Sequence, residues 1–250
     1  MRHWPNLYSI SRIFTLTLEK RLKKIKDELM KNNDKPQNAD EYIALLRSQV
    51  AQNTECGTTY YNLAVALLGK KEYEEAEEAL HNAVECSPTL AEAYVLLGGI
   101  CLRNNDLDGC LKYNQMAVKS RAGFSEGYGN IGFILLQQCT GKDPEADQER
   151  YELAIKNLEK AVVFNPKFVQ AFTTLGTAYF MKGLVDEGIA ANLKAVSVEP
   201  EFPIAHNNLA VAYLEKGDYE KAITHCDKAE KLGFKVLDQL KKELEPHRKN

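Results

Sequence analysis

Leu63, Leu97, Ile131, Leu175 and Leu209 follow one another at spacings of 34, 34, 44 and 34 residues. A period of this size constrains a fold more than any composition does, because each copy must be one supersecondary unit that buries its apolar face on its neighbours. One residue on, Ala64, Gly98, Gly132, Gly176 and Ala210 are all small. Three residues ahead of the leucine register stand Tyr60, Tyr94, Tyr128 and Phe172, with His206 in the fifth copy. Ala83, Ala117, Ala161, Ala195 and Ala229 recur at 34, 44, 34 and 34, so the third copy carries ten extra residues between Ile131 and Ala161.

Each copy reads as two helices. Tyr60, Leu63, Ala64 and Leu67, then Ala76, Leu80, Ala83 and Val84, repeat at the three- and four-residue spacing that lines one helix face. Short breaks such as "GKKE", "KGLVD" and "KGDY" separate the two halves, with glycine expected to relax the backbone at the helix end. Pro88, Pro166 and Pro200 then stop the second helix by withholding an amide. Where Ala64 or Gly98 faces Ala83 or Ala117, two helix axes can approach closely while the aromatic residue fills the space toward the next copy.

This series of aromatic, leucine, small residue, alanine, alanine and proline resembles the tetratricopeptide repeat, over residues 57 to 234. Departures are Ala122 and Phe234 in place of the proline, His206 in place of an aromatic, and Cys110 and Gly188 in place of alanine. The resemblance implies an all-α chain, a right-handed superhelical solenoid of five helix-turn-helix repeats at about 57–90, 91–124, 125–168, 169–202 and 203–234. An extra helix over 39–54 precedes them, packed as the second half of a missing unit. Residues 235–245 follow as a capping helix, with Val236, Leu237 and Leu240 apolar among charges, because a stack needs polar-faced ends. The solenoid domain is thus 39–250, behind a basic arm, helical or flexible, over 1–38.

In the third copy Asp143 is placed to cap a helix whose first residue is Pro144, with Glu145 and Asp147 near its positive end. The second helix therefore starts early, and its acidic tip over 141–150 is a solvated extension, a contact surface or a metal loop; the acids match no calcium-loop spacing. Six scattered cysteines without a CxxC pair suit reduced, mostly buried thiols. "GYGNIG" matches the GxGxxG fingerprint literally, but no strand precedes it and Gly132 fills the small register of the repeat. His225 and Cys226 are adjacent, so they point about 100° apart on a helix, and no Ser, His and acid cluster can be assembled. The longest apolar run, Ile131 to Leu136, is far short of the roughly 20 residues a membrane span needs, and the chain reads as cytoplasmic.

By the same resemblance, the first-helix face lines the concave surface. Asn62, Asn130 and Asn208 precede the repeated leucines there, interrupted by Leu96 and Thr174. Their amides can pair with both groups of an extended peptide backbone, or serve intrahelical and water contacts instead. Around them lie Tyr61, Val65, Leu68, Val95, Leu102, Arg103, Phe133, Leu136, Thr173, Thr177, Phe180, Asn207, Val211 and Leu214. Such a lining favours an apolar or amphipathic segment of a protein partner; the alternative is that the stripe is packing within the stack. A carboxylate clamp is excluded, since Tyr61 and Val65 stand where cations would be required.

The arm carries Arg12, Lys20, Arg21, Lys23, Lys24, Lys26, Lys31 and Lys35 against four acids over residues 12–35. Leu18, Leu22, Ile25 and Leu29, spaced 4, 3 and 4, form an apolar seam if helical. The function expected is a non-catalytic protein–protein interaction scaffold or adaptor, binding a protein or peptide, with no small-molecule substrate, cofactor or metal. Alternatives are a regulatory or assembly subunit of an enzyme complex, and nucleic-acid or membrane-surface association through residues 1–35. Oligomeric state is not readable from the sequence.

Overall fold

A computed structural model describes residues 38–248; the basic arm lies outside the described residues. All elements among them are helical. They fall into two compact units, one ending at Gly127 and one starting at Tyr128.

The first unit holds α1 (Ala39–Gln52), α2 (Gly57–Lys70), α3 (Tyr73–Cys86), α4 (Ala91–Arg103) and α5 (Leu107–Ser120). Asn38 begins α1 by accepting a hydrogen bond from the Glu41 amide at 2.9 Å, while its own amide donates to the Glu41 carboxylate, satisfying donors the helix leaves open. Asp106 does the same for α5 through the Gly109 amide. Within the unit α1 packs on α2, α2 on α3, α3 on α4 and α4 on α5, so each pair is stacked on the last. Its core runs from Ile43 and Leu46 through Leu67 and Leu80 to Leu97 and Ile100.

The second unit takes up α6 (Ser125–Gln137), α7 (Pro144–Phe164), α8 (Val169–Met181), α9 (Val185–Val198), α10 (Pro203–Glu215), α11 (Tyr219–Lys231) and α12 (Asp238–Leu244), ending in a 3-10 turn. Helix α7 has 21 residues against 14 in α5, and its turn runs over 138–143, so the insertion lengthens both. Asp143 accepts from the Ala146 amide and Pro144 occupies the first turn. Asp147, 3% exposed, folds the turn back onto the helix by accepting from the Gly141 amide at 2.7 Å and Arg150 at 3.0 Å. The capping helix buries Val236, Leu240 and Leu244. Leu237, expected on that face, is exposed because it sits in extended backbone just before the helix, and Leu244 completes the face instead.

The small register shows how closely the helices approach. A Cβ at Gly98 would lie 2.5 Å from the Asn114 amide nitrogen, and one at Gly132 would lie 2.4 Å from Leu158. At Gly176 the Asn192 nitrogen would be 2.0 Å away, a distance no side chain tolerates. Ala64 and Ala210 fill the same register fully buried.

One expectation about helix ends is corrected. Gly69 of "GKKE" lies inside α2, and Lys71 takes the left-handed conformation at φ 65°. That position repeats as Asn105, Gly183 and Gly217, two residues beyond the glycine register expected in the first copy. The second helices α3, α7 and α9 end two residues before Pro88, Pro166 and Pro200, as expected, but the proline is not required. Helix α5 stops at Ser120 ahead of Ala122, in the register where α3 stops at Cys86 ahead of Pro88.

Candidate functional site

The first-helix face is built by α2 and α4 in the first unit and by α6, α8 and α10 in the second. On α2, Val65 and Leu68 are buried while Tyr61 and Asn62 are half-buried; on α4, Val95 is buried and Leu102 half-buried. Val65, Leu68 and Val95 belong to the core cluster of the unit, so part of the predicted lining is packing within the stack. Arg103 is exposed and turned toward its own turn, stacked 3.6 Å over the Tyr73 ring and donating to the Asn104 side chain at 3.1 Å.

In the second unit Phe133, Leu136, Thr173, Asn207, Asn208, Val211 and Leu214 are buried, and Asn130, Thr177 and Phe180 half-buried. The threonines spend their hydroxyls internally, since Thr173 donates to the Gln170 carbonyl at 2.9 Å and Thr177 to the Thr173 carbonyl at 3.1 Å. Asn208 donates to the Thr177 hydroxyl at 3.3 Å, tying α10 to α8, while its Oδ1 is buried without a partner. Phe180 packs against the cluster of Ile189, Leu209 and Ala212. Amide and hydroxyl side chains make up five of these ten residues, where aliphatic side chains dominate α2 and α4.

The structure brings together a group that sequence reasoning passed over. His206, in the aromatic register, places Nδ1 2.9 Å from His225 Nδ1 and Nε2 2.9 Å from the Pro200 carbonyl. The carbonyl can only accept, so His206 donates through Nε2 and accepts from His225 through Nδ1. Tyr213 stacks on His225 at 5.7 Å. Burial, then the neighbouring His206, pushes His225 down to about 4. The signal was the odd residue at an aromatic position.

Cys226 follows His225 in sequence but is buried, which pushes its thiol up to about 11. Cys226, Asp227 and Glu230 bring metal-capable atoms within 4.8 Å of one another. Asp227 is held by Arg248 at 2.6 Å and Glu230 by Lys241 at 3.2 Å, and the thiol resists ionisation, so the donor set suits a latch for the chain end better than an ion. A second regular feature is an ion pair across thirty residues: Lys70 with Asp40, Lys182 with Glu152 and Lys216 with Asp186. In each, a lysine at the end of a first helix reaches an acid on the preceding second helix, in the first turn for Asp40 and Asp186 and mid-helix for Glu152 on the extended α7. No helix among the described residues is long and apolar enough to cross a membrane.

Comparison with known proteins agrees with this geometry. Family profiles described as tetratricopeptide repeat match residues 27–91, 61–123 and 203–232, and one described as TPR repeat matches 144–183. A relative in Arabidopsis thaliana, the chloroplastic tetratricopeptide repeat domain-containing protein PYG7, is 26% identical over 125 residues, 48% of this chain and 38% of that protein. The chain thus spans well under half the length of that relative. Among solved structures, YrrB, a TPR protein with an unusual peptide-binding site, aligns at a TM-score of 0.61 and 22% identity, covering 81% of this chain and 97% of that one. PilF of Pseudomonas aeruginosa aligns at 0.63 and 19% identity over 76% of this chain and 85% of that one.

Proposed function

The chain belongs to the tetratricopeptide repeat family, and from that premise we propose that it is a non-catalytic scaffold whose first-helix faces receive a segment of a protein partner. The observation that carries this reading is the half-buried row Tyr61, Asn62 and Leu102 in one unit and Asn130, Thr177 and Phe180 in the other. These side chains keep area to give to a ligand, and they mix amides with apolar surface as an amphipathic or extended peptide requires. The peptide-binding site of YrrB, on the same fold, supports the same class of ligand.

The buried thiols give no support to a catalytic role. Burial pushes Cys101, Cys139 and Cys226 up to about 11 and Cys110 up to about 12, leaving them poor nucleophiles. Replacing Asn130 with Ala is expected to weaken binding of a partner captured by the full chain by about 1 kcal/mol, with the fold kept. Titration calorimetry against that partner reads the effect, and an unchanged affinity would reduce the asparagine register to a structural one.

A further inference from the structure

Burial raises four of the six thiols, and the other two meet at one end of the first helix pair. Cys56 is half-buried in the turn that opens α2, and Cys86, the last residue of α3, is exposed. Cys86 Sγ donates to the Thr54 carbonyl at 3.2 Å, two residues before Cys56. One residue beyond each cysteine the same two segments touch again: a Cβ at Gly57 would stand 2.6 Å from Ser87 Cβ and 2.8 Å from the Ala83 carbonyl oxygen. The end of α3 is therefore pressed against the 54–57 segment on both sides of Cys56. A disulfide needs Cα atoms within about 7 Å, and with about 3.8 Å per chain step these neighbouring contacts leave little distance to close. Residues 53–55 are exposed, so the turn carrying Cys56 is open to a small reagent. The two sulfurs also differ in their hydrogen bonds. Cys56 accepts from the Thr59 hydroxyl at 2.9 Å, which together with the amides opening α2 holds this thiol below its ordinary range. Cys86 instead donates its S–H, a contact that exists only while the proton is kept.

We propose that Cys56 and Cys86 form a thiol–disulfide exchange site, in which Cys56 attacks a low-molecular-weight disulfide such as glutathione disulfide and Cys86 resolves the product into a Cys56–Cys86 bond. In the first step the Cys56 thiolate attacks one sulfur of the reagent, its S–S bond breaks, and one glutathione thiolate leaves while the other half stays on Cys56. In the second step Cys86 gives up its proton to the solvent and attacks Cys56 Sγ, expelling the second glutathione thiolate. Two protein thiols are oxidised and one glutathione disulfide is reduced to two glutathiones, so electrons and atoms balance. The new bond replaces the contacts of Thr59 with Cys56 and of Cys86 with Thr54, and closes a loop over residues 56–86, the whole of α2 and α3. Oxidation thereby ties the start of α2 to the end of α3 and constrains the unfolded chain, which makes the first helix pair sensitive to redox poise. Nothing in this exchange depends on the first-helix face.

The test incubates the reduced full-length protein with glutathione disulfide near neutral pH and maps its six cysteines by mass spectrometry without reduction. A Cys56–Cys86 linkage within one chain, formed at a rate independent of protein concentration, is expected. Cys86→Ser should trap glutathione on Cys56, and in Cys56→Ser the remaining Cys86 should be modified about tenfold more slowly than that. In urea, where the Thr59 contact is lost, the two variants should react alike. Glutathione left on Cys56 of the native chain while Cys86 stays free would overturn the proposal, as would linkage only between chains. Equal rates for the two folded variants, a rate difference that persists in urea, or linkage of Cys101, Cys110, Cys139 or Cys226 ahead of this pair would overturn it as well.

Discussion

Gly176→Ala tests the tightest Cβ contact among the described glycines. In the middle of an exposed helix this change stabilises by about 1 kcal/mol, since alanine loses less backbone freedom. At Gly176 the new Cβ would stand 2.0 Å from Nδ2 and 2.8 Å from Cγ of Asn192, and 3.0 Å from the Gly188 carbonyl oxygen. Asn192 is 2% exposed and its amide donates to Gly188 at 2.9 Å, so it cannot swing away without giving up that bond. Overpacking costs about 1–3 kcal/mol and the lost hydrogen bond about 1 more, so the net expectation is a loss of about 2 kcal/mol after the propensity gain. At about 2–4 °C per kcal/mol, the melting temperature followed by helix circular dichroism should fall by about 4–8 °C. Gly176→Leu should unfold the fourth pair outright. The first repeat supplies the control, because Ala64 and Leu80 meet there with both side chains fully buried. Adding Asn192→Leu to Gly176→Ala copies that pair and removes an Asn192 Oδ1 that has no partner, so at least part of the loss should return. A single variant that melts higher than the native chain would refute the close-approach reading.

Two further outcomes follow from the second unit. His225 is held at about 4 against 6.5 in the unfolded chain, so its contribution is intact above pH 6.5 and is lost as pH falls toward 4. For a fully buried ring this would be worth about 3 kcal/mol; half-burial scales it to about 1, and His225→Gln should flatten the fall in melting temperature between pH 6.5 and 5, parallel curves counting against the pair. Asp147→Ala removes the buried carboxylate that holds Gly141 and Arg150, and should cost about 1–3 kcal/mol while hastening proteolysis within 138–143; unchanged cleavage would mean the turn is fixed by other contacts.

The architecture was legible because every copy must bury the same wedge. Leu63, Ala64 and Ala83 have one packing solution, and the solution repeats with the period. Helix ends were less legible. Glycine and proline are read as punctuation, yet α5 stops without a proline and Lys71 takes a left-handed conformation beside an unused glycine. The repeat geometry sets those positions and the local residue accommodates them. The thirty-residue ion pairs were invisible to helix periodicity because they join different repeats, and being exposed they contribute little each. The candidate face was legible as a register only. Periodicity can say that Val65 and Val95 share a face, but whether that face is covered depends on what lies over it.

That coverage changes what drives association. Apolar burial yields about 25 cal/mol per Å2 only for area still in contact with water, and Val65, Leu68 and Val95 have almost none left to give. A partner segment therefore gains from the half-buried side chains Tyr61, Asn62, Leu102, Asn130, Thr177 and Phe180, and from hydrogen bonds that amides make regardless of the partner's sequence. Selectivity then favours a segment that fits the amides as well as the aliphatic row.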